Sequence, residues 1–266
     1  MKILVTGANG NLGKHLVLNA ENHEIVTLCR DEWYTLDEKM SEVDSVIHAA
    51  GDIKSSINVS PVNIIDSNIL STMRLLEYSL KHKIKHFYFV SSCAVYGDVN
   101  HTKETQECYP VSLNGDIKKL NETIISSFCK GNGIGFTCFR VFNTFGGKDE
   151  FSIVSKLLNA AKKKEVFTLN NKGLSQRDFI HVNDIAKTIL KIVELNEKPE
   201  YINVGTGSTI KIVDLYNIVI QKYPDINTSF TNHDEIEYSR SDDRLLLDLI
   251  SCNFISVVDY LKNETN

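Results

Sequence analysis

The feature that most constrains this chain is a glycine-rich turn close to its N-terminus. The apolar segment Ile3-Leu4-Val5 is typical of a strand, and the residues after the turn are typical of an amphipathic helix. Gly7 permits a tight turn out of the strand, Gly10 leaves room for a phosphate beside the backbone, and Gly13 lets the helix pack on a sheet. Free N–H groups and the helix dipole favour negative charge there. The spacing predicts a binding site for the pyrophosphate of a dinucleotide, formed by Gly7, Gly10, Asn11, Leu12 and Gly13.

Short apolar runs alternate with helical patterns along the first half of the chain, as in βαβ units on a parallel sheet. Within 266 residues this order predicts a Rossmann-type α/β fold, a doubly wound parallel sheet with a smaller C-terminal α/β substrate-binding cap. We assign residues 1–145 to the sheet domain, with 178–204 returning to it, and residues 146–177 and 205–266 to the cap. The predicted strands are Lys2–Thr6, Glu24–Cys29, Ser45–Ala49, His86–Val90, Phe136–Val141, Asp178–Val182 and Tyr201–Val204. The predicted helices are Asn11–Asn19, Asn63–His82, Ile117–Cys129, Phe151–Lys163, Ile185–Leu195 and Ile212–Tyr223.

The end of the second predicted strand bears on the choice of dinucleotide. A cofactor without a 2′-phosphate usually meets an acidic residue there, whereas a cofactor that carries one meets an arginine. Cys29 stands where the acid is expected, and Arg30 follows it. This pattern favours NADP(H), with Arg30 as a contact. Asp31, two residues beyond the expected position, leaves NAD(H) as the alternative.

Composition and charge argue against several classes of partner. The net charge is −5 and no polybasic stretch is present, so neither nucleic acid nor a membrane is predicted as a partner. No apolar run approaches the length of a membrane span, and the chain begins directly with a strand, which predicts a cytoplasmic protein. The cysteines form no CxxC pair and the histidines at 48, 86, 181 and 233 share no ligand spacing, so no metal site is predicted.

Seven blocks, the first of which contains the glycine turn, are spread over nearly the whole chain. They are Thr6–Gly13, His48–Gly51, Asn68–Thr72, Val90–Gly97, Phe139–Asn143, Gln176–Asp184 and Asn203–Gly207. In this order they resemble the extended short-chain dehydrogenase/reductase family, in particular its NAD-dependent epimerase/dehydratase group, which acts on nucleotide-linked sugars. The opening Thr-Gly-Ala-Asn-Gly-x-Leu-Gly and the short connection that follows Cys29 also look like deoxysugar 4-keto reductases of that group.

The resemblance implies roles for individual residues. Ser92 would hydrogen-bond the reacting oxygen of the sugar, and Lys118 would bind the cofactor ribose and lower the pKa of a catalytic tyrosine. Asn68 would anchor the active-site helix and its water. The implied cofactor contacts include Ala49, Ala50, Gly51, Asn68 and Lys118, and the implied substrate contacts are Ser92, Asn143, Arg177 and Arg240. Arginine suits a diphosphate because its planar fork makes bidentate, charge-assisted hydrogen bonds.

The same resemblance implies a homodimer. In the family, the helices corresponding to 63–82 and 115–130 pair with those of a second copy in a four-helix bundle. Both helices carry apolar residues beyond what one buried face needs: Ile64, Ile65, Leu70, Ile124, Ile125 and Phe128.

One position departs from the family pattern. The family places a tyrosine four residues before its lysine, and Asn114 occupies that place before Lys118. An amide has no titratable proton near neutral pH, so it cannot act as a general acid–base, although it can donate a hydrogen bond. Three interpretations follow. Another group moves the proton (Ser92, Tyr96, His181 or a water held by Lys118), the fold binds its ligands without catalysis, or Asn114 supports a step that needs no proton relay there.

The predicted function is therefore an NADP(H)-linked oxidoreductase that acts on a keto group of a nucleotide-linked deoxysugar, of the 4-keto reductase type, in polysaccharide or deoxysugar synthesis. Ser92, Asn114 and Lys118 form the predicted catalytic set. One alternative is a nucleotide-sugar epimerase with tightly held NAD. The other is a catalytically silent protein that binds the cofactor and the nucleotide sugar.

Overall fold

The computed structural model describes residues 1–51 and 60–265. Its strands are β1 Lys2–Thr6, β2 Glu24–Leu28, β3 Ser45–His48, β4 His86–Ser92, β5 Val99–Thr102, β6 Gly135–Val141, β7 Asn143–Phe145, β8 Val166–Asn170, β9 Gln176–Arg177, β10 Phe179–His181, β11 Tyr201–Val204, β12 Ile210–Lys211, β13 Asn227–Thr231 and β14 Tyr238–Ser241. Its α-helices are α1 Asn11–Asn19, α2 Leu36–Met40, α3 Pro61–Ile65, α4 Ser71–Lys81, α5 Leu113–Asn132, α6 Ile153–Lys163, α7 Val182–Glu194, α8 Ile212–Ile220, α9 Arg244–Leu249 and α10 Val257–Thr265.

The main sheet has six strands in the order β11-β6-β4-β3-β1-β2. β1 pairs in parallel with both β2 and β3, and β3 pairs in parallel with β4. Ile3, Leu4 and Val5 are fully buried, as are most residues of β3 and β4. Along the chain, β2 is added on one side of β1, and β3 and β4 are added on the other side, as in a doubly wound fold. The predicted fold class is confirmed.

The described chain divides into two compact units. Unit 1 comprises residues 1–97, 107–140 and 186–202, and unit 2 comprises 98–106, 141–185 and 203–266. The core of unit 1 lies between the main sheet and α2, α4 and α5, with Leu75, Phe87 and Ile125 at its centre. The core of unit 2 packs α6, α8 and α10 around Phe145 and Phe167. Unit 2 also contains the four-stranded sheet β12-β9-β14-β5 and the pairs β10-β7 and β13-β8.

The segment 178–204, expected to return to the main sheet, does so only through β11. β10 instead pairs in parallel with β7, with Phe179 opposite Asn143. The Asn143 N–H donates to the Asp178 carbonyl at 3.1 Å, and this bond begins the separate ladder.

The helix predicted over Asn63–His82 consists of α3, a π-helical turn at Asp66–Leu70 and α4. Its buried face includes Ser71, Thr72 and Ser79, whose hydroxyls donate to carbonyls four residues earlier. The apolar side chains of Met73 and Leu80 are exposed instead. The small hydroxyl residues allow close packing, and the apolar residues are left at the surface.

Within residues 1–51 and 60–265, no helix combines the length and apolar character needed to cross a bilayer. The same residues contain no group of three or more His, Cys, Asp or Glu side chains arranged to hold a metal ion.

Candidate functional site

The glycine turn between β1 and α1 has the geometry of a phosphate cradle. Gly7 has φ +71°, and a Cβ there would lie 2.8 Å from the backbone of Ala50. A Cβ on Gly13 would lie 2.1 Å from Gly7 O, so both positions require glycine for packing. A Cβ on Gly10 would have only one heavy atom within 4 Å, Gly7 O at 3.1 Å. Space is therefore left open at the glycine that would face a phosphate.

The start of α1 is suited to an anion. Gly10 is the N-cap residue and offers no side-chain acceptor, and the first turn, which begins with Asn11 and Leu12, carries no acidic residue. The first N–H groups of a helix have no partner within it, and together with the dipole they favour a bound phosphate. The residues present thus fit the pyrophosphate of a dinucleotide.

A buried histidine holds the neighbouring strand end in place. The ring of His48 bonds to Thr6 Oγ1 at 2.7 Å and to Thr72 Oγ1 at 3.0 Å. Thr6 Oγ1 also accepts the Ala50 N–H at 3.1 Å. Burial, with a smaller effect of the charge on Lys118, lowers the pKa of His48 to about 3. This neutral imidazole fixes the loop Ala49–Gly51 against the glycine turn.

Near the end of β2 lies an acidic residue, Glu32, that the sequence analysis did not identify as part of the site. After Leu28 the chain enters a 3₁₀ turn, Arg30–Thr35, and the Glu32 carboxylate folds back so that Oε2 accepts the Cys29 N–H at 2.9 Å. Lys39 Nζ donates to the same oxygen at 3.0 Å. Cys29 Sγ accepts a hydrogen bond from Asn9 Nδ2 of the glycine turn at 3.1 Å. Arg30, predicted as a cofactor contact, is exposed on the 3₁₀ turn.

Asn68 lies in the π-helical turn and is buried. Its Nδ2 donates to Ile64 O at 3.0 Å, and its own carbonyl accepts from Asn121 Nδ2 of α5 at 3.1 Å. A Cβ on Gly51 would lie 3.2 Å from Asn68 Oδ1 and 3.8 Å from Lys118 Nζ. The structure therefore brings Gly51, Asn68 and Lys118 together, three of the predicted cofactor contacts.

Helix α5 carries two of the three predicted catalytic residues, Asn114 and Lys118. Ser112 is its N-cap residue and accepts the Gly115 N–H at 3.2 Å. A Cβ on Gly115 would lie 2.4 Å from Ala94 O, so the absence of a side chain seats the start of α5 directly on the turn after β4. That turn begins with Ser92, whose Oγ accepts the Ala94 N–H at 3.2 Å.

Lys118 is partly buried behind the start of α5. Its Nζ donates to Val90 O at 2.7 Å and lies 4.7 Å from the centroid of the Phe89 ring. Burial lowers the pKa of Lys118 to about 8, and the charge of Glu122 limits the decrease. Asn114 lies one helical turn before Lys118 on the same face. Its side chain forms no hydrogen bond within the described residues. The titratable amine of Lys118 and the amide of Asn114 therefore lie on the same face of α5.

The other candidates for moving a proton are held in place by other interactions. Tyr96 is buried, and its hydroxyl accepts a hydrogen bond from Arg140 Nη1 at 3.0 Å. In unit 2, His181 Nδ1 accepts the Asn183 N–H at 3.2 Å, and its ring packs edge-on against Phe145. In unit 1, Ser92 and Lys118 are the remaining candidates.

The predicted substrate residues of unit 2 lie around neighbouring strands. Arg177 of β9 is opposite Ser239 of β14, the residue before Arg240. The Arg177 guanidinium donates to the carbonyls of Gln176, Ile236 and Glu237. Arg240 is exposed and donates through Nε to Gly207 O at 2.8 Å, which leaves its two terminal nitrogens without a bond among the described residues.

Asn143 lies beside the same strands. Its Nδ2 donates to Asp178 O at 2.9 Å and to Ser239 Oγ at 3.2 Å. Of the two arginines predicted to bind phosphate, Arg240 has the more available fork, because Arg177 is committed to main-chain carbonyls.

Comparison with known proteins places the chain in a family. A family model described as the NAD dependent epimerase/dehydratase family matches residues 3–205. The chain belongs to this family. A protein of Methanocaldococcus jannaschii, provisionally named a UDP-glucose 4-epimerase, is 31% identical over 250 residues, which cover 82% of this chain and 81% of that protein.

Two solved structures illustrate the likeness. The UDP-N-acetylglucosamine 4-epimerase of Methanobrevibacter ruminantium, in complex with UDP-N-acetylmuramic acid, has a TM-score of 0.84 and 25% identity, covering 99% of this chain and 96% of that chain. The UDP-glucuronic acid 4-epimerase of Bacillus cereus, in complex with UDP-glucuronic acid and NAD, has a TM-score of 0.89 and 21% identity, covering 100% and 98%. The second likeness concerns the fold alone.

Within this epimerase/dehydratase chain, the sequence did not identify a buried ion pair beneath the predicted catalytic helix. Glu122 of α5 accepts from Arg140 Nη2 at 2.8 Å and Nε at 3.1 Å, and from Ser91 Oγ at 2.6 Å. A signal was present: Arg140 lies in the apolar strand Phe136–Val141, and a charge in such a strand requires a partner. The pair ties α5 to β4 and β6.

Proposed function

We propose that this chain is an NAD-dependent epimerase of a UDP-linked sugar, in which Lys118 replaces the family's tyrosine as the titratable group. The proposal rests on one observation: the residues of α5 and its neighbours that are predicted to bind the cofactor lie together in the structure. Lys118 and Asn68 meet at Gly51, beside a glycine turn whose geometry fits a pyrophosphate. The names of the relatives described above support epimerisation over keto reduction, because each is a 4-epimerase.

Gly7, Gly10, Asn68 and Lys118 would hold the dinucleotide, and a bound nicotinamide would supply hydride transfer from one sugar carbon and back to the opposite face of that carbon. The Ser92 hydroxyl and the Asn114 amide hold the sugar oxygen by hydrogen bonds. The proton of that oxygen passes through a water to the neutral amine of Lys118 and returns when the C–H bond re-forms. With a pKa of about 8, about a tenth of the amines are neutral at pH 7. Lys118 can therefore take up and release a proton near neutral pH.

On this proposal Asn143 and Arg240 bind the nucleotide diphosphate, and Arg177 supports the loop 235–237. The reaction takes place in the cytoplasm and supplies a nucleotide sugar for polysaccharide synthesis, as predicted from the sequence.

Bound cofactor and turnover test the proposal together. We would denature the purified protein, identify any released dinucleotide, and follow UDP-glucose, UDP-N-acetylglucosamine and UDP-glucuronic acid by proton NMR. Tightly held NAD and interconversion of one 4-epimer pair are expected, and Lys118→Met should abolish the interconversion while Lys119→Met, its neighbour on α5, should not. Exchangeable NADPH and reduction of a 4-keto sugar would instead support the keto reductase predicted from the sequence.

Asn114 itself favours a second candidate, a protein that binds NAD and a nucleotide sugar without turnover. The variant Asn114→Tyr separates the two. If the natural chain turns over none of the sugars and the variant gains activity, the chain is a binding protein. If the natural chain is active, Asn114 is compatible with catalysis.

We also propose a homodimer through α4 and α5. Leu70, Met73 and Leu120 are exposed on these helices, and Ile124 and Phe128 are partly buried beside them. Ile125, counted in the sequence among the surplus apolar residues, lies fully buried in the core of unit 1 instead. Light scattering after size exclusion should give about twice the chain mass of 30.0 kDa. Met73→Glu should halve it, whereas Tyr34→Glu, at a more exposed side chain on another element (86% against 49%), should not. A monomer mass for the natural chain would exclude this dimer.

A further inference from the structure

The end of β2 contains a carboxylate that no sequence pattern assigns to the cofactor. The usual position for the acid, directly after the strand, is occupied by Cys29. The side chain of Asp31 forms no hydrogen bond within the described residues. Glu32 instead reaches back from the 3₁₀ turn. Its Oε2 is used by the Cys29 N–H and by Lys39 Nζ, and neither donor uses Oε1.

The position of this carboxylate is fixed by bonds from both sides. The Gly7 N–H donates to Leu28 O at 3.3 Å, and Asn9 Nδ2 donates to Cys29 Sγ at 3.1 Å, so the glycine turn and the end of β2 are joined. Lys39 is itself anchored by a bond from Nζ to Thr27 O at 2.8 Å. Glu32 keeps 38% of its side chain exposed. One carboxylate oxygen is therefore accessible beside the phosphate cradle.

In dinucleotide sites of this topology, an acid at the end of the second strand accepts the ribose hydroxyls, and a cationic residue is needed to accept a 2′-phosphate. A fixed negative charge a few ångströms from that phosphate opposes its binding. Lys39, the cation bonded to Glu32, is paired with that carboxylate and with a main-chain carbonyl, so it does not supply the missing attraction.

We propose that Glu32 is the residue that selects NAD over NADP, by accepting the hydroxyls of the adenosine ribose and repelling a 2′-phosphate. This inference rests on the proposed function, because it requires that the chain bind a nicotinamide dinucleotide. It replaces the preference for NADP(H) that Cys29 and Arg30 indicated in the sequence.

Isothermal titration calorimetry with NAD and with NADP tests the assignment without any turnover. We expect the natural chain, freed of bound nucleotide, to bind NAD at least about tenfold more tightly than NADP, which corresponds to about 1.4 kcal/mol. Glu32→Gln keeps an oxygen for the Cys29 N–H and removes the charge. This variant should bind NAD more weakly and NADP more tightly, so that the ratio approaches one.

Asp31→Asn is the matched control, because it removes the same charge one residue earlier. It should leave the ratio of the two affinities unchanged. The melting temperature of each variant, measured without nucleotide, checks that the fold is retained. Cys29→Asp provides a second variant, since it returns an acid to the usual position and should restore NAD preference in the Glu32→Gln background.

The outcomes separate this inference from the proposed function. If the natural chain binds NADP more tightly, or if Glu32→Gln and Asp31→Asn change the ratio equally, the role of Glu32 is refuted while dinucleotide binding stands. If the folded natural chain binds neither dinucleotide, the proposed function fails and the inference fails with it.

Discussion

The two units each bury a carboxylate, and they neutralise it in opposite ways. In unit 1, Glu122 is paired with the guanidinium of Arg140, which also stacks over the rings of Tyr96 and Tyr201. In unit 2, the fully buried Asp178 receives hydrogen bonds only from neutral groups among the residues that the structure describes. They are Thr206 N–H and Oγ1, Gly207 N–H, and Ser241 N–H and Oγ.

The difference separates two uses of a buried charge. Glu122 joins its helix to β6 through the charged Arg140 and to β4 through the Ser91 hydroxyl, so it secures packing beneath Asn114 and Lys118 of the same helix. Asp178 gathers a turn and a strand through their backbone amides, and Gly207 in that turn anchors Arg240. One carboxylate stabilises a core, and the other fixes the shape of a loop beside the predicted phosphate-binding arginine.

The largest expected effect comes from breaking the ion pair of unit 1. Arg140→Met leaves the Glu122 carboxylate buried without its charged partner, which should lower the free energy of unfolding by about 3–5 kcal/mol. Urea denaturation followed by circular dichroism measures the loss. The double variant Glu122→Leu with Arg140→Met should recover most of it, because no unpaired charge remains. A single variant that loses less than the double variant would contradict the ion-pair interpretation.

A smaller loss is expected from the carboxylate of unit 2. Asp178→Asn replaces one acceptor oxygen by an NH₂ group that faces N–H donors, which should cost about 1–3 kcal/mol of stability. The loop that holds Arg240 should shift, so calorimetry should record weaker binding of UDP and unchanged binding of NAD. Thr206→Ser keeps the hydroxyl donor and serves as the control. Equal weakening of both ligands would mean that Asp178 acts on the whole fold rather than on its loop.

The N-cap residues of α5 in unit 1 and α6 in unit 2 are both serines, so the two units can be compared at an equivalent helix position. Ser112 accepts the Gly115 N–H at 3.2 Å, and Ser152 accepts the Ser155 N–H at 3.1 Å. Replacing either serine by alanine should lower the free energy of unfolding by about 1 kcal/mol. Only Ser112→Ala should also reduce the epimerisation rate, because α5 presents Asn114 in its first turn. A similar rate loss in Ser152→Ala would remove this distinction.

The smallest expected effect is electrostatic. The charge of Glu122 raises the pKa of Lys118 towards its usual value, so Glu122→Gln, which removes that charge alone, should lower the pKa further below about 8. NMR of ¹³C-labelled lysine, with Lys118→Met for assignment, measures this shift. A pKa that rises in Glu122→Gln would refute the proposed influence of Glu122.

The titration of Lys118 also gives stability a pH dependence of known sign. Because its pKa is lower in the folded chain than the usual 10.5, the unfolded chain holds more protons between pH about 8 and 10.5. The contribution of this group to the free energy of unfolding therefore rises with pH in that window. The difference in stability between the natural chain and Lys118→Met should increase across the same range, and a flat difference would contradict the lowered pKa.

Much of the fold was predictable because its signals are local. Ile3-Leu4-Val5 is a continuous apolar run, as expected of a parallel strand buried on both faces, and the glycine spacing after it demands a tight turn. The short strands β5, β8, β13 and β14 were not predicted, since segments such as Val99-Asn100-His101-Thr102 show neither an apolar run nor alternation. They form because distant strands supply their partners.

The residues of the candidate site likewise fall into those that a local signal predicts and those that it does not. Lys118 and Asn114 could be placed because their spacing of four residues lies on one helix. Glu32 could not, because its contact with the Cys29 N–H depends on a 3₁₀ turn that periodicity does not reveal. The preference for NADP(H) took no account of Glu32 for that reason, since it considered only the residues in line with the strand.

The π-helical turn at Asp66–Leu70 gives this helix one place where its length can change. Each residue of an α-helix advances its face by about 100°, whereas the wider π turn takes up an extra residue within one turn. Deleting one residue here should therefore narrow the turn to α-helical width and leave the buried Leu75 and Leu76 facing the core. The same deletion within α4 would rotate the residues after it by about 100°, so α4 should tolerate it far less well than the π turn.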